Sequence, residues 1–260
     1  MGIADAAAPG EDLSATALGG VLGDRPLRAY PALLSTEADA LAWARAGAPS
    51  GAVVVADYQV SPRGRSGRPW EVRAGEGLGF SIVVRPELPA LREGWLYVAA
   101  SAALADVLGA GGALTWPDEA WAADARVGAV GVHAELGAAA VEWAVVTVLA
   151  DRATPPRGAL LAGLLRAIEA RLASPDEAVL TDYRSRCATL GRRVRARMIP
   201  MSPDGPQVVG EAVDVRTDGG LVLATDRGSR MVVHPQHLGV LEDPPTSGAA
   251  PPEPGSRLSG

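Results

Sequence analysis

Arg63-Gly64-Arg65-Ser66-Gly67-Arg68-Pro69-Trp70 lies between two apolar runs of strand length, Ala52–Asp57 (AVVVAD) and Leu78–Val84 (LGFSIVV). Short continuous apolar runs of this kind fit strands buried in a sheet, so the arginine- and glycine-rich stretch reads as a loop joining two such strands. Glycine lets the backbone turn sharply and come close to a ligand. Arginine forks match carboxylate and phosphate oxygens in pairs. The composition therefore predicts a loop that closes over an anionic ligand with Trp70 stacked or packed beside it, although it also fits a solvated basic loop.

Outward from this loop the pattern is mixed. Ser35 is placed to cap a helix running to Arg45, and Gly94–Leu108 reads as a helix with Trp95, Val98, Ala102 and Ala105 along one face. Val127–Leu136 and Ala140–Leu149 read as adjacent strands joined by a short turn at Gly137. Arg157–Leu172 carries Leu160, Leu161, Leu164, Leu165 and Ile168 at helical spacing. Ser174-Pro175-Asp176-Glu177 has the signature of a helix start, with a capping hydroxyl, an early proline and acids by the positive dipole end, for a helix over Pro175–Cys187. From Leu190 onward the pattern changes to short alternating stretches, Arg193–Met198, Gln207–Val213, Leu221–Thr225 and Met231–His234, separated by Asp-Gly turns. These predict a small all-β barrel. Residues 1–24 lack sustained periodicity and read as a flexible arm. The tail 243–260, with Pro244, Pro245, Pro251, Pro252 and Pro254, reads as disordered. The expected class is α+β, a mixed sheet flanked by helices over 25–188, followed by a β domain over 189–242.

The chain has 260 residues, and all 24 of its basic residues are arginine; it contains neither lysine nor asparagine. A GC-rich genome depletes both, and the chemical consequence is that no mechanism here can use a lysine ammonium or an asparagine amide. A net charge of −6 and a pI near 5.2 argue against a general nucleic-acid binder. No apolar run approaches the roughly 20 residues of a membrane span, and the start lacks a signal-peptide pattern. The single cysteine, Cys187, excludes an internal disulfide framework and multi-cysteine metal sites, which makes the expected location cytoplasmic. Cys187 reads as a buried small side chain. His133 reads as a core or rim residue, and His234 with His237 lacks partners for a zinc set, so no metal site is expected. Arg193, Arg195 and Arg197 share one strand face, most simply a solvated one. Trp43, Trp95, Trp121 and Trp143 are assigned to packing.

Ala56-Asp57-Tyr58-Gln59, the loop Arg63 to Trp70, then Gly77-Leu78 and Ser81 through Arg85-Pro86 resemble the signature of the biotin–protein ligases, in the biotin/lipoate ligase superfamily. Ser35-Thr36 resembles the upstream Ser-Thr-Asn element, Trp116-Pro117 the centre of Lys-Trp-Pro-Asn-Asp, and Tyr183-Arg184 through Leu190-Gly191-Arg192-Arg193-Val194 the junction into an SH3-like C-terminal barrel. The resemblance spans Arg28 to Glu242. It implies the short form of the family, since the stretch before Ser35 is too brief for the winged helix of the repressor-type members, and so no DNA binding by that route. It also implies that Ser35, Thr36, Gln59 and Arg63 line a biotin pocket. Gly64, Arg65, Gly67 and Arg68 would order over biotinyl-adenylate, with Trp70 and Trp116 framing the site. Biotin and ATP with magnesium would be the small-molecule ligands, and the biotin carboxyl carrier domain of an acyl-CoA carboxylase the protein partner. A homodimer is compatible with the family.

Departures from the family pattern fall on the chemistry. The first glycine of the Gly-Arg-Gly-Arg loop is Pro62, which fixes φ and removes an N–H. The asparagine of Ser-Thr-Asn is Glu37. Lys-Trp-Pro-Asn-Asp reads Thr115-Trp116-Pro117-Asp118-Glu119. The family's essential lysine falls at Val127 or Gly128, and the Gly-Ile-Asn-type element is replaced by Val148-Leu149-Ala150-Asp151-Arg152. Adenylation gathers negative charge, and losing one preorganised cation typically costs about 3–4 kcal/mol, roughly 10²–10³ in rate. Arg126 and Arg152 are the candidate substitute cations. Three readings remain at this level: a degenerate member that binds biotin, its adenylate or a carrier domain; an active ligase using arginine for lysine; and a scaffold without ligand binding.

Overall fold

The computed structural model describes residues 10–70, 75–108, 112–153, 156–202 and 205–244. Seven strands form the main sheet: β1 (Leu27–Leu33), β2 (Val53–Gln59), β3 (Leu78–Val84), β4 (Ala113–Thr115), β5 (Glu119–Ala122), β6 (Ala125–Leu136) and β7 (Val141–Ala150), in the order β1-β2-β3-β7-β6-β5-β4. β1 and β2 are parallel and every other pair is antiparallel, so the sheet is mixed. All seven residues of β3 are buried, because it lies in the interior of the sheet with both faces covered.

Alternation along the strands sends side chains to two different cores. Val53, Val55, Phe80, Ile82, Val146 and Val148 join the larger core. There they pack beneath the helices α3 (Trp95–Leu108) and α4 (Gly158–Ala173). Val54, Val83, Trp143 and Val145 join the smaller one, closed by Ala40 and Ala44 of α2 (Thr36–Arg45). α3 is buried on every side from Trp95 to Ala105, which explains its nearly uninterrupted small apolar sequence. α4 buries Leu161, Leu164, Leu165 and Ile168 at the spacing read from the sequence. α5 (Asp176–Arg186) follows it.

The C-terminal strands β8 (Arg193–Met198), β9 (Gln207–Val215), β10 (Leu221–Ala224), β11 (Arg230–Val233) and β12 (Leu238–Glu242) form a second, antiparallel sheet. Its order is β11-β10-β9-β8-β12, and no pairing between β11 and β12 is present among the described residues. The expected barrel is thus an open five-stranded sheet, whose edges are not joined by backbone hydrogen bonds. The C-terminal sheet is joined to the rest of the chain by side-chain donors outside the strands that reach backbone carbonyls at the end of β9 and in the turn after it. Trp116 Nε1 donates to Gly219 (2.9 Å), Arg92 Nε to Thr217 (3.1 Å) and Arg184 to Val215 (2.8 Å).

Several elements differ from the sequence expectation. The described part of the stretch expected to be a loose arm contains a short 3-10 turn, Glu11–Leu13, and a helix, α1 (Ala15–Leu22). Both dock: Leu13 and Leu18 are buried in the larger core, and Asp12 holds Arg157 from two sides (2.6 and 2.9 Å). Arg157, fully buried, also reaches Asp57 of β2 (2.7 Å) and the carbonyl of Gly77 (3.0 Å). β1 carries Pro31, which an edge strand tolerates but which masks it in sequence. Ser174 does not cap α5; its hydroxyl donates back to Ala170 of α4 (2.7 Å), and Pro175 takes the cap position. The tail read from Asp243 lies, beyond Pro244, outside the described residues.

Candidate functional site

At the N-terminus of α2 the sheet offers a chain of hydroxyls leading to an amide. Thr147 and Ser81, neighbours on β7 and β3, share a hydrogen bond (2.8 Å), and Ser81 donates to Thr36 Oγ1 (3.0 Å). Thr36 in turn donates to Gln59 Oε1 from both its N–H (2.8 Å) and its hydroxyl (3.1 Å). With its oxygen so engaged, Gln59 keeps Nε2 as a donor. That nitrogen lies over Gly79, where a Cβ would come within 2.3 Å, so a side chain there would push the Gln59 amide out of its place. Ser35 stands at the cap of α2 but makes no cap bond. Its Oγ is buried without a hydrogen-bond partner, an arrangement that costs about 1–3 kcal/mol unless a further group meets it. Thr147 was not singled out in the sequence; its signal is a hydroxyl interrupting an apolar central strand, as Ser81 does in β3.

The arginine loop folds on itself and onto β6. Gly64 N–H donates to Arg68 O (2.8 Å), Trp70 N–H to Pro62 O (3.1 Å), and the Arg63 guanidinium to Gly67 O (3.0 Å). The indole of Trp70 covers Gly64 so closely that a Cβ there would meet its ring at 2.3–2.5 Å. A Cβ on Gly131 of β6 would lie 3.4 Å from Gly64, so loop and strand are in direct contact. Ser66 and Gly67 both adopt positive φ, 54° and 71°. Arg63 and Arg68 are exposed, whereas Arg65 is 3% exposed.

Arg65 turns inward to Asp118 (Nε to Oδ2, 3.1 Å) and to the carbonyl of Leu238 in β12, which Ser66 also reaches (3.3 Å). The backbone around Asp118 is fixed on both sides, by Ser101 of α3 donating to Pro117 O (3.2 Å) and by Val130 N–H donating to Asp118 O (2.8 Å). Burial pushes the Asp118 carboxyl above its ordinary range, and the Arg65 guanidinium opposes that shift. Trp116, expected to frame the site, is packed in the core with its indole N–H spent on Gly219, and Asp118 rather than the indole reaches the loop.

The two candidate cations have different surroundings. Arg126 is gripped by Asp151 in a two-point pair (2.9 and 3.1 Å) and lies 3.6 Å from Glu119, which Trp121 Nε1 also contacts (3.3 Å). The hydrogen bonds that Arg126 donates to Asp151 raise its pKa above the ordinary value. Arg126 faces a small polar recess of about 40 Å3 that it shares with Arg65, Arg68, Trp70, Asp118 and Glu119. On its other side Arg126 borders a cleft of about 400 Å3 with Arg152, which is exposed. Of the two expected lysine positions, Gly128 admits no side chain, since a Cβ there would strike Leu149 O at 2.6 Å, and Val127 packs against the core.

A third cleft, of about 230 Å3, opens on the inner side of the loop between Gly64, Gly67, Glu37, Tyr97, His133 and Gln236. Burial raises the Glu37 carboxyl and Arg63 opposes it; burial, then Arg45, lowers His133, whose ring stacks on Trp143 at 6.3 Å. Cys187 is buried, and burial pushes its thiol up, away from nucleophilic use. Among the described residues no three His, Cys, Asp or Glu side chains gather as a metal site.

No protein-family model matches the chain. It is 35% identical over 229 residues to the biotin–[acetyl-CoA-carboxylase] ligase of Mycobacterium tuberculosis, which covers 76% of this chain and 82% of that protein. Among solved structures, the biotin protein ligase of Aquifex aeolicus in complex with biotin and ATP superposes with a TM-score of 0.63 at 23% identity, over 84% of this chain and 99% of that one. A biotin protein ligase-like protein of unknown function from Silicibacter gives 0.60 at 16% identity, over 81% and 94%. Both structural likenesses are of fold.

Proposed function

Because the chain belongs to the biotin–protein ligase family, we propose that it binds biotin and no longer carries out ligation. The single observation that supports this reading most strongly is Arg126. The chain has no lysine, and the arginine nearest the missing one is already neutralised by Asp151 and faces Glu119. A cation so paired has little charge left for a developing phosphate anion, and the loss of one such donor alone costs about 3–4 kcal/mol, roughly 10²–10³ in rate.

The ligand-binding end is intact by comparison. Gln59 Nε2 and the unpartnered Ser35 Oγ would hold a ureido group, and the hydroxyl chain from Thr147 through Ser81 to Thr36 fixes the Gln59 amide. In this reading residues 25–188 are the ligand-binding domain and 189–242 the counterpart of the family's SH3-like module. The partner is a biotin carboxyl carrier domain in the cytoplasm. One observation favours a second reading, an active ligase. Arg152 is exposed beside Arg126 and has no ion-pair partner among the described residues, so it is free to meet a phosphate.

The deciding experiment incubates the protein with biotin, ATP, magnesium and a biotin carboxyl carrier domain and reads the carrier by intact mass. We expect no biotin-sized gain beside a working control ligase, together with heat of biotin binding in calorimetry. A mass gain overturns the reading, and Arg126→Ala and Arg152→Ala then identify the cation. Neither mass gain nor heat leaves the fold as a scaffold.

A further inference from the structure

The arginine loop is held shut by groups of the chain itself. Arg65 is bonded to Asp118 and to the Leu238 carbonyl, Ser66 to the same carbonyl, and the loop backbone rests on β6 at Gly131. Three arginines face the small recess beneath the loop. Arg65 is paired with Asp118, Arg126 with Asp151 and Glu119, and Arg68 alone has no ion-pair partner among the described residues. Two of these carboxylates, Asp118 and Glu119, stand where the family motif has an amide and a single acid.

We propose that Asp118 and Glu119 are specificity-determining residues: they serve as the site's own anion, Asp118 keeping the arginine loop closed through Arg65 and Glu119 standing against Arg126, and together they turn polyphosphate away from both arginines. This rests on the reading of the pocket as a biotin site and restricts its ligand to one held through Ser35, Thr36 and Gln59 without a nucleotide. The reason is charge and burial. A phosphate that reached Arg65 would have to displace Asp118, leaving a buried carboxylate unpaired, and would then sit against two like charges.

The test follows loop cleavage and pyrophosphate binding in one set of proteins. Trypsin cuts after Arg63 and Arg65, whereas Arg68 is protected by the following proline. The wild-type loop is expected to resist cleavage and to show no pyrophosphate binding in calorimetry. Asp118→Asn with Glu119→Gln is expected to be cut at least about tenfold faster and to bind pyrophosphate at least about tenfold tighter, the scale of one lost or gained charge-assisted hydrogen bond. Asp118→Glu, which keeps the charge, is expected to retain the wild-type resistance. Circular dichroism confirms that each variant is folded; should the double variant not fold, Asp118→Asn alone carries the cleavage comparison and Glu119→Gln alone the pyrophosphate comparison, each against the wild type. Rapid cutting of the wild-type loop, or equal pyrophosphate affinity in wild type and variant, overturns the proposal. Biotin titrations of the same proteins keep the two readings apart: failure to bind biotin removes the proposed function and leaves the pyrophosphate result standing.

Discussion

Glu37 and Gly64 show how single positions set the character of this site. Glu37 is a carboxylate in a half-buried place, and burial raises its pKa above that of an exposed glutamate. A raised value in the folded state means that the folded chain holds the proton to higher pH than the unfolded one. Stability therefore rises as pH falls through the folded value, and the whole cost of the buried charge is present at neutral pH. Glu37→Gln is expected to raise the melting temperature at pH 7, with the gain shrinking as pH falls toward the glutamate range; differential scanning calorimetry across pH checks this. A drop at pH 7 would show instead that the Arg63 attraction dominates. At Gly64 the constraint is steric. Alanine would place a Cβ 2.3 Å from the Trp70 ring, so Gly64→Ala is expected to cost about 1–3 kcal/mol and to shift the tryptophan emission. An unchanged spectrum and melting curve would count against the packing described for Trp70.

At the scale of elements, the N-terminal turn and α1 depend on one buried guanidinium. Arg157 is shared by Asp12, Asp57 and the Gly77 carbonyl, so it joins the first described segment to β2 and to the residue that leads into β3. Asp57 also accepts from Gly75 N–H (3.2 Å), which ties the same cluster to the foot of the arginine loop. Removing Asp12 leaves the buried arginine short of a partner, and Asp12→Asn is expected to cost about 3 kcal/mol. Hydrogen exchange should quicken across residues 10–22 before it quickens in β3; uniform protection would refute the latch. The Arg157 hydrogen bond lowers the Asp12 pKa below its ordinary value. Its contribution to stability is thus complete above the usual aspartate range and is lost as pH falls through the depressed value. Acid should release α1 in the wild type and have little further effect on α1 in Asp12→Asn, as read by exchange or by pepsin cleavage.

Seen as a whole molecule, the parts legible in sequence are those whose signal is local. β3 matches its apolar run residue for residue, and α4 follows its leucine spacing, because each buries what its own sequence displays. The residues of the arginine loop were legible as a motif. Its closure was not, because Arg65 meets Asp118 across 53 positions and Leu238 across 173, and no periodicity reports such a pairing. α1 escaped because Ala-Thr-Ala-Leu-Gly-Gly-Val-Leu carries little intrinsic helix signal and owes its order to docking. β12 follows a 3-10 turn, Pro235–His237, that interrupts the alternation before it. The seam between the sheets gives a prediction at this scale. Trp116→Phe keeps the ring but leaves the Gly219 carbonyl unmet, and is expected to lower stability by about 1–2 kcal/mol in denaturant unfolding. A change within error would show that the indole bond carries no net weight.

At that seam Trp116, Arg65, Arg92 and Arg184 all donate to main-chain oxygens of Leu238, Thr217, Val215 and Gly219. Such bonds recognise the path of the peptide and not the side chains it carries, except at Gly219, where φ is 80° and a Cβ would meet Gly94 O at 2.2 Å. The outer face of the C-terminal sheet can accordingly drift in sequence, or be recoded by design, provided that Gly219, the Arg184–Asp214 pair (2.8 Å) and the inward Val215, Leu221 and Leu238 are kept. Descendants of this chain that look unrelated on that outer face would still be built the same way.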